Sequence, residues 1–100
     1  MLNSKQRKYL KSMANGLKPI AQLGKDGVTE AFLKQLDIML ENKELVKVNV
    51  LETNMLDAKG ACNDVCKAIN AEFVQAIGRK FVIYKESREK EKDEKIRLPR

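Results

Sequence analysis

The chain has 100 residues, 43% of them hydrophobic, with a formal net charge of +6. This length and apolar content fit a single domain with one modest core. No apolar run approaches the roughly 20 residues of a membrane-spanning helix, and the N-terminus lacks the apolar segment of a signal peptide, so we expect a cytoplasmic protein without membrane contact.

The charge is distributed unevenly along the chain. Residues 1–30 carry six Lys or Arg against two Asp or Glu, whereas residues 31–60 carry four against five. A basic first third beside an acidic middle indicates one positive face that meets a polyanion. A solvated surface that merely keeps the protein soluble is the alternative.

The first predicted helix is capped at position 3 or 4 and ends near residue 15, before a glycine. At 100° per residue, Tyr9, Leu10 and Met13 fall on one side of this helix. The opposite side is basic and consists of Arg7, Lys8 and Lys11, with Lys5 at its margin. No acid balances these cations at i+4 spacing, so a polyanion-binding face and a solvated face both remain open.

A short strand is predicted over residues 18–23, because Pro19 forbids further helix and is tolerated where a strand begins. It leads into a GxxG loop, Gly24-Lys25-Asp26-Gly27, which opens into the next helix. The two glycines allow positive φ and close approach of another chain, and the first amides of a helix attract anions. Taken alone, the motif favours an ordinary Asp-Gly turn over a phosphate cradle, and the rest of the chain shifts that balance.

The second helix, predicted over residues 28–42, packs an apolar arc against the core. Its outer face carries Glu30, Lys34, Asp37 and Glu41. The strand predicted over residues 45–51 alternates, with valines on one side and Lys47 and Asn49 on the other. Strand, loop, helix and strand form a βαβ unit whose two strands should be parallel.

A polar break at residues 52–54 precedes a third helix, predicted over residues 57–70. Two further strands, at residues 73–77 and 81–84, are joined through Gly78, Arg79 and Lys80. This spacing predicts a tight hairpin with two cations at its tip.

The tail, residues 86–100, consists almost entirely of charged residues of both signs. Such a segment cannot bury enough apolar surface to offset its ordering. We therefore expect a disordered or frayed extension of a single domain, residues 1–85.

Enzyme chemistry finds little support in the sequence. Cys62 and Cys66 are spaced i, i+4, but there is no histidine and no third cysteine, and two thiolates do not close a structural zinc site. In a cytoplasmic protein we expect reduced thiols, with Cys62 packed as a small apolar residue. The GxxG loop lacks the spacing of a nucleotide-binding P-loop, and the acids of the second helix do not converge. We expect no catalytic residue, metal or cofactor.

Three segments and the order of elements resemble the YhbY-like family, also called the CRM (chloroplast RNA splicing and ribosome maturation) domain. The segments are LKPI followed by GKDGVT (residues 17–20 and 24–29), LVKV (residues 45–48) and VQAIGRKFVIYK (residues 74–85). The resemblance covers residues 1–85 and does not extend to the tail.

This resemblance implies a compact α/β domain of order α-β-α-β-α-β-β, in which helices pack on a four-stranded mixed sheet. Such a domain is similar to the C-terminal domain of bacterial translation initiation factor 3. The resemblance also implies RNA binding and, for a single-domain bacterial member, association with precursors of the large ribosomal subunit.

We interpret the chain as a monomeric RNA-binding protein with weak sequence preference. The loop would hold the sugar-phosphate backbone as the GXXG loop of KH domains does, and nearby cations would neutralise phosphates. The predicted RNA-binding residues are Lys5, Arg7, Lys8, Lys11, Lys18, Gly24, Lys25, Asp26, Gly27, Arg79 and Lys80.

Base stacking should be minor, because four of the five aromatic residues are expected in the core. These four are Tyr9, Phe32, Phe73 and Phe81. The alternative is a protein-interaction module that docks a ribosomal or assembly partner through the acidic second helix or the charged tail.

Overall fold

The structure, a computed structural model, describes residues 2–51 and 57–100, and the predicted polar break at residues 52–54 lies outside them. The elements in chain order are α1 (Ser4–Ala14), β1 (Ala21–Leu23), α2 (Glu30–Lys43), β2 (Leu45–Val50), α3 (Ala58–Ile69), β3 (Glu72–Ile77) and β4 (Lys80–Tyr84). This order confirms the expected α/β fold. No helix in the described ranges has the length and apolarity needed to cross a bilayer.

The sheet has the strand order β1-β2-β4-β3. β1 and β2 pair in parallel, as the βαβ unit requires, while β4 is antiparallel to both β2 and β3. The sheet is therefore mixed, as expected. β1 is shorter than predicted, although the Ile20 amide still donates to the Lys47 carbonyl at 3.1 Å.

The sheet lies between two helical layers. One face is covered by α2 and α3, and its core includes Leu36, Leu40, Val48, Val65 and Phe81. The other face is covered by α1 and the tail, over a smaller core that includes Leu2, Leu10, Leu45, Val82 and Tyr84. Alternation along β2 and β4 supplies both cores, since successive side chains project to opposite faces.

Helix α1 contacts the sheet through a narrower stripe than its sequence indicates. Asn3 caps the helix in a reciprocal pair with Gln6, and Leu10 and Ala14 are fully buried. Tyr9 and Met13 remain 42% and 38% exposed, so the expectation that Tyr9 is a core residue is wrong. A two-residue i, i+4 stripe suffices to cover the small second core and leaves the flanks of the helix in solvent.

The tail does not behave as its composition predicts. Ile96 and Leu98 pack against the second core, and residues Lys92–Glu94 form a short 3-10 helix. The carboxylate of Glu44, only 1% exposed, accepts hydrogen bonds from the amides of Ser87 at 2.8 Å and Ile96 at 2.6 Å. The composition of the tail could not reveal these hydrogen bonds, because the acceptor, Glu44, lies at the end of α2 and far from the tail in sequence.

Candidate nucleic-acid interface

Two loops meet at one end of the sheet. β1 and β2 are parallel and end side by side, with the Leu51 amide donating to the Leu23 carbonyl at 2.9 Å. β4 begins at the same end, where the Val50 amide donates to the Arg79 carbonyl at 2.6 Å. The GxxG loop after β1 and the turn between β3 and β4 therefore lie on either side of the end of β2. We call this edge the loop end of the sheet.

The GxxG loop is a closed turn rather than a direct entry into α2. The Gly27 amide donates to the Gly24 carbonyl at 3.1 Å, which places exposed Lys25 and Asp26 at the apex. Thr29 then caps the helix by accepting the Phe32 amide at 3.1 Å. The helix begins at Glu30, two residues later than predicted, and one of its first amides is already occupied. A ligand at the loop would meet the turn before it meets the helix.

The two glycines of the loop have different structural roles. Gly27 has φ 76°, a conformation that favours glycine, whereas Gly24 does not have positive φ. A Cβ added at Gly24 would lie 3.7 Å from Leu51 Cδ1, an ordinary van der Waals distance. The backbone thus favours glycine at position 27, whereas a Cβ at position 24 would meet the described residues at ordinary van der Waals distance.

Arg79 does not extend from the hairpin tip as predicted. Gly78, with φ 60°, and Arg79 form a two-residue turn, and the Arg79 guanidinium folds back to donate to the carbonyls of Val50, at 3.1 Å, and Leu51. Positive φ at the first turn residue is the pattern of a type II′ hairpin. Lys80 is the first residue of β4 and projects onto the α1 face of the sheet. Arg79 therefore braces the loop end, while Lys80 is exposed beside it.

The predicted basic side of α1 is divided along the helix. α1 runs beside β3 in the same direction, since Leu2 N lies 3.1 Å from Glu72 Oε1 and Arg7 Nε lies 3.1 Å from the Phe73 carbonyl oxygen. Lys11 is consequently nearer the loop end than Lys5, by about 9 Å along the axis. Arg7 is half-buried and holds the bulged edge of β3.

The predicted cations around the loop end form an exposed group. Lys25 and Lys80 are exposed at the loop end, Lys8 and Lys11 are exposed along α1 with Lys11 nearer to that end, and Lys18 is exposed before β1 begins. None of these five forms an ion pair with another described residue. The nearby acids Asp26 and Glu30 are fewer than these five lysines, so the net charge of the group is positive.

The α1 face of the sheet adds residues that the predicted site did not include. Lys47 and Asn49 are half-buried on β2, and each projects toward the α1 side. Gln22 on β1 pairs with Asn49 and projects to the same face. The alternation of residues 45–50 already separates Lys47 and Asn49 from the core valines, so the sequence contained the signal for including them.

Two acids of α2, Asp37 and Glu41, are engaged within the molecule. Asp37 forms an ion pair with Lys85 at 2.7 Å, and Glu41 accepts hydrogen bonds from the Ser87 hydroxyl and from the amides of Arg88 and Glu89. These hydrogen bonds, that from Ser87 above all, lower the pKa of Glu41 from 4.5 to about 2. We call Asp37, Glu41 and Glu44, with the groups that they bind, the tail anchor.

The thiols lie on α3, apart from these surfaces. Cys62 is fully buried and Cys66 is half-buried, and neither forms a disulfide. A hydrogen bond with Cys66, together with burial, raises the pKa of the Cys62 thiol above its usual range. The described residues contain no group of three or more His, Cys, Asp or Glu side chains that could hold a metal ion.

The sequence model of the CRS1/YhbY (CRM) domain matches residues 2–85. The chain belongs to this family. The CRM match ends where β4 leads into the tail anchor, so the anchored tail lies outside the segment that defines the family.

Curated relatives of this CRM protein match over nearly their full length. It is 40% identical over 99 residues to "Probable RNA-binding protein YqeI" of Bacillus subtilis, covering 99% of this chain and 100% of the relative. It is 35% identical over 99 residues to an "RNA-binding protein" of Haemophilus influenzae, covering 99% and 96%. The solution structure of Staphylococcus aureus SAV1595 matches with a TM-score of 0.80 at 45% identity, covering 99% of this chain and 100% of that one.

Proposed function

We propose that this protein binds RNA, and that its target is ribosomal RNA in precursors of the large ribosomal subunit. The loop end of the sheet would lie against the sugar-phosphate backbone, with the GxxG loop in close contact and the lysines neutralising phosphates. The observation that carries the proposal is the group of exposed lysines at this end that form no ion pair with a described residue. The names of the bacterial relatives support RNA as the partner, and the ribosomal target rests on the family resemblance.

The proposal is one of binding without catalysis, by a cytoplasmic monomer. The competing function, docking of a protein through the acidic side of α2 or the tail, has less support. Asp37 and Glu41 are already engaged by Lys85, Arg88 and backbone amides of the tail. A protein partner would have to displace these contacts, whereas RNA would meet lysines that no described acid engages.

Salt dependence of binding tests RNA recognition directly. If about five phosphates are neutralised, the logarithm of affinity for single-stranded RNA should fall against the logarithm of salt concentration with a slope of roughly −3.5. The double variant Lys25→Ala, Lys80→Ala should flatten this slope by about 1 to 1.5. Fluorescence anisotropy with a labelled RNA over a range of KCl concentrations measures both slopes.

A matched control removes the same charge from another surface. Lys34 and Lys43 are exposed on α2 and form no ion pair with a described residue, so Lys34→Ala, Lys43→Ala should leave the slope unchanged. If both double variants flattened the salt slope equally, binding would depend on net charge alone, and the loop end would not be the specific RNA-binding site.

The ribosomal target requires a separate measurement. We expect the protein to cosediment with large-subunit precursors in a low-salt gradient, and in-cell crosslinking followed by sequencing of the bound RNA to recover ribosomal sequences. Crosslinks confined to messenger or transfer RNA would contradict the ribosomal target while leaving RNA binding intact.

A further inference from the structure

An open cleft lies on the α1 face of the sheet, beside the loop end. Its volume is about 250 Å³, and it is lined by Asn15, Lys47, Gln75, Ile77, Lys80 and Val82. The C-terminal end of α1 forms one wall, and β2, β4 and β3 form the floor. Of the lining residues, Val82 alone belongs to the second core, which lies under the rest of α1.

The strand register explains why the lining residues share one surface, and it places Gln22 and Asn49 on that surface next to the cleft. Gln22, Asn49, Lys80 and Ile77 are successive cross-strand partners, so they form one row across all four strands at the loop end. Lys47, Val82 and Gln75 form the next row. Cross-strand partners project to the same face of a sheet, and a row of four strands spans about 14 Å.

The chemistry of these two rows combines three kinds of group. Val82, 1% exposed, gives an apolar floor, and Ile77, 68% exposed, gives an apolar rim. Gln22, Asn49 and Gln75 offer primary amides that the structure shows in no hydrogen bond with a described residue. Lys47 and Lys80 supply the charge, and neither row contains a carboxylate.

Primary amides on an exposed apolar surface fit nucleobases better than phosphates. Each amide presents a donor and an acceptor together, which matches the paired donors and acceptors on the edges of unstacked bases. The carboxylates of an acidic peptide could pair with the two lysines, but as acceptors only they would leave the amide oxygens without donors. The row also continues onto the loop end, since Gln22 and Leu23 are adjacent on β1 and the GxxG loop follows.

We propose that this cleft, together with Asn49 and Gln22 next to it, binds unpaired bases of the same single-stranded RNA whose backbone lies against the GxxG loop. The inference rests on the proposed function and changes one part of it. The sequence predicts binding with weak base preference because aromatic residues are few, whereas the amide rows would give base discrimination without aromatic stacking.

The test compares three labelled oligonucleotides, A10, C10 and U10, by fluorescence anisotropy. The unmodified protein should discriminate among them by about fivefold or more, as expected for bidentate amide contacts. The variant Asn49→Ala, Gln75→Ala should bring the three affinities within about twofold of one another. Its salt slope should stay unchanged, because no charge is removed.

The matched control is Gln35→Ala, Asn42→Ala, which removes two exposed amides from α2. This variant should discriminate like the unmodified protein. Side-chain amide resonances of Asn49 and Gln75 in the unmodified protein provide a measurement independent of any substitution, and they should shift when the preferred oligonucleotide is added.

The outcomes separate the cleft from the proposed function. Salt-dependent binding with equal affinity for all three oligonucleotides, or discrimination that survives in Asn49→Ala, Gln75→Ala, overturns the cleft and leaves RNA binding intact. Loss of salt-dependent binding altogether overturns both. Shifts of the Asn49 and Gln75 amides produced by a polyglutamate peptide but not by RNA would assign the cleft to an acidic protein instead and overturn the proposal.

Discussion

The loop end of the sheet and the tail anchor use charge in opposite ways. At the loop end, exposed lysines surround a GxxG turn and form no ion pair with a described residue. At the tail anchor, Asp37, Glu41 and Glu44 are engaged by Lys85, by Arg88 and by amides of the tail. Among the described residues, the lysines of the loop end are thus exposed and unpaired with acids, whereas the acids of the tail anchor are engaged within the fold.

This difference separates residues that serve folding from residues available for binding. Glu44 is buried, so its hydrogen bonds compensate for a desolvation that would otherwise destabilise the fold. Exposed lysines without partners contribute little to stability in either direction. Changes at the tail anchor should therefore alter the free energy of unfolding and spare RNA affinity, and changes at the loop end should do the reverse.

Deletion of residues 86–100 should have the largest effect. It removes the partly buried Ile96 and Leu98, together with the Ser87 and Ile96 amides that donate to the Glu44 carboxylate. We expect the free energy of unfolding to fall by about 3 kcal/mol and Tm by about 15 °C. Urea denaturation measures the first quantity and thermal melting the second.

Two smaller variants identify the cause of this loss. Ile96→Ala, Leu98→Ala should reproduce a large part of it, whereas Lys92→Ala, Glu94→Ala, which changes only exposed charges, should not. RNA affinity of the folded truncated protein should stay within about threefold of the parent once the six lost cations and five lost acids, nearly balanced, are considered. A truncated protein as stable as the parent would show that the tail is not anchored.

Local patterns in the sequence predicted the elements well, and contacts between distant residues limited the rest. Alternation in β2 and the Asn3 cap of α1 depend on residues near in sequence, so they could be recognised directly. The Glu44 hydrogen bond to Ile96 and the Arg79 contacts with β2 join residues dozens of positions apart. Composition therefore predicted a disordered tail, and the hairpin spacing predicted two cations at the tip without the contacts that Arg79 makes with β2.

The two glycines of the GxxG loop allow the effects on RNA affinity and on stability to be separated at the loop end. Gly24→Asp adds bulk and negative charge at a position where a Cβ meets the described residues at ordinary van der Waals distance, so it should weaken RNA binding at least tenfold while changing the free energy of unfolding by less than about 1 kcal/mol. Gly27→Ala places a Cβ at φ 76° and should cost about 1 kcal/mol of stability. Anisotropy and urea denaturation on both variants measure the two effects.

Gly24→Ala serves as the control for charge, since it adds a methyl group alone. A moderate loss of affinity is expected if the RNA backbone approaches closely at this position. If folded Gly24→Asp protein binds RNA like the parent, the loop is only a turn, and the lysines must act without it.

Acid titration of Glu41 should give the smallest effect, because its side chain is 26% exposed and its interactions are partly screened by solvent. Hydrogen bonds from Ser87 and from the amides of Arg88 and Glu89 lower its pKa from 4.5 to about 2 in the folded protein. A carboxylate whose pKa is lowered by folding stabilises the native state at pH values above the pKa that the group has in the unfolded chain. This contribution is complete above about pH 5.5 and is lost as the pH falls from about 4.5 toward 2.

Glu41→Gln isolates this contribution, because the amide keeps an acceptor oxygen but cannot titrate. The variant should be less stable than the parent at pH 7, and the difference should close by about pH 2, as urea denaturation at several pH values will show. Glu91→Gln, on an exposed residue without a side-chain cap bond, should follow the parent throughout. A stability difference that does not change with pH would mean that the Glu41 charge does not hold the tail. A changed RNA affinity of Glu41→Gln at pH 7 would mean that the tail anchor also contributes to RNA binding.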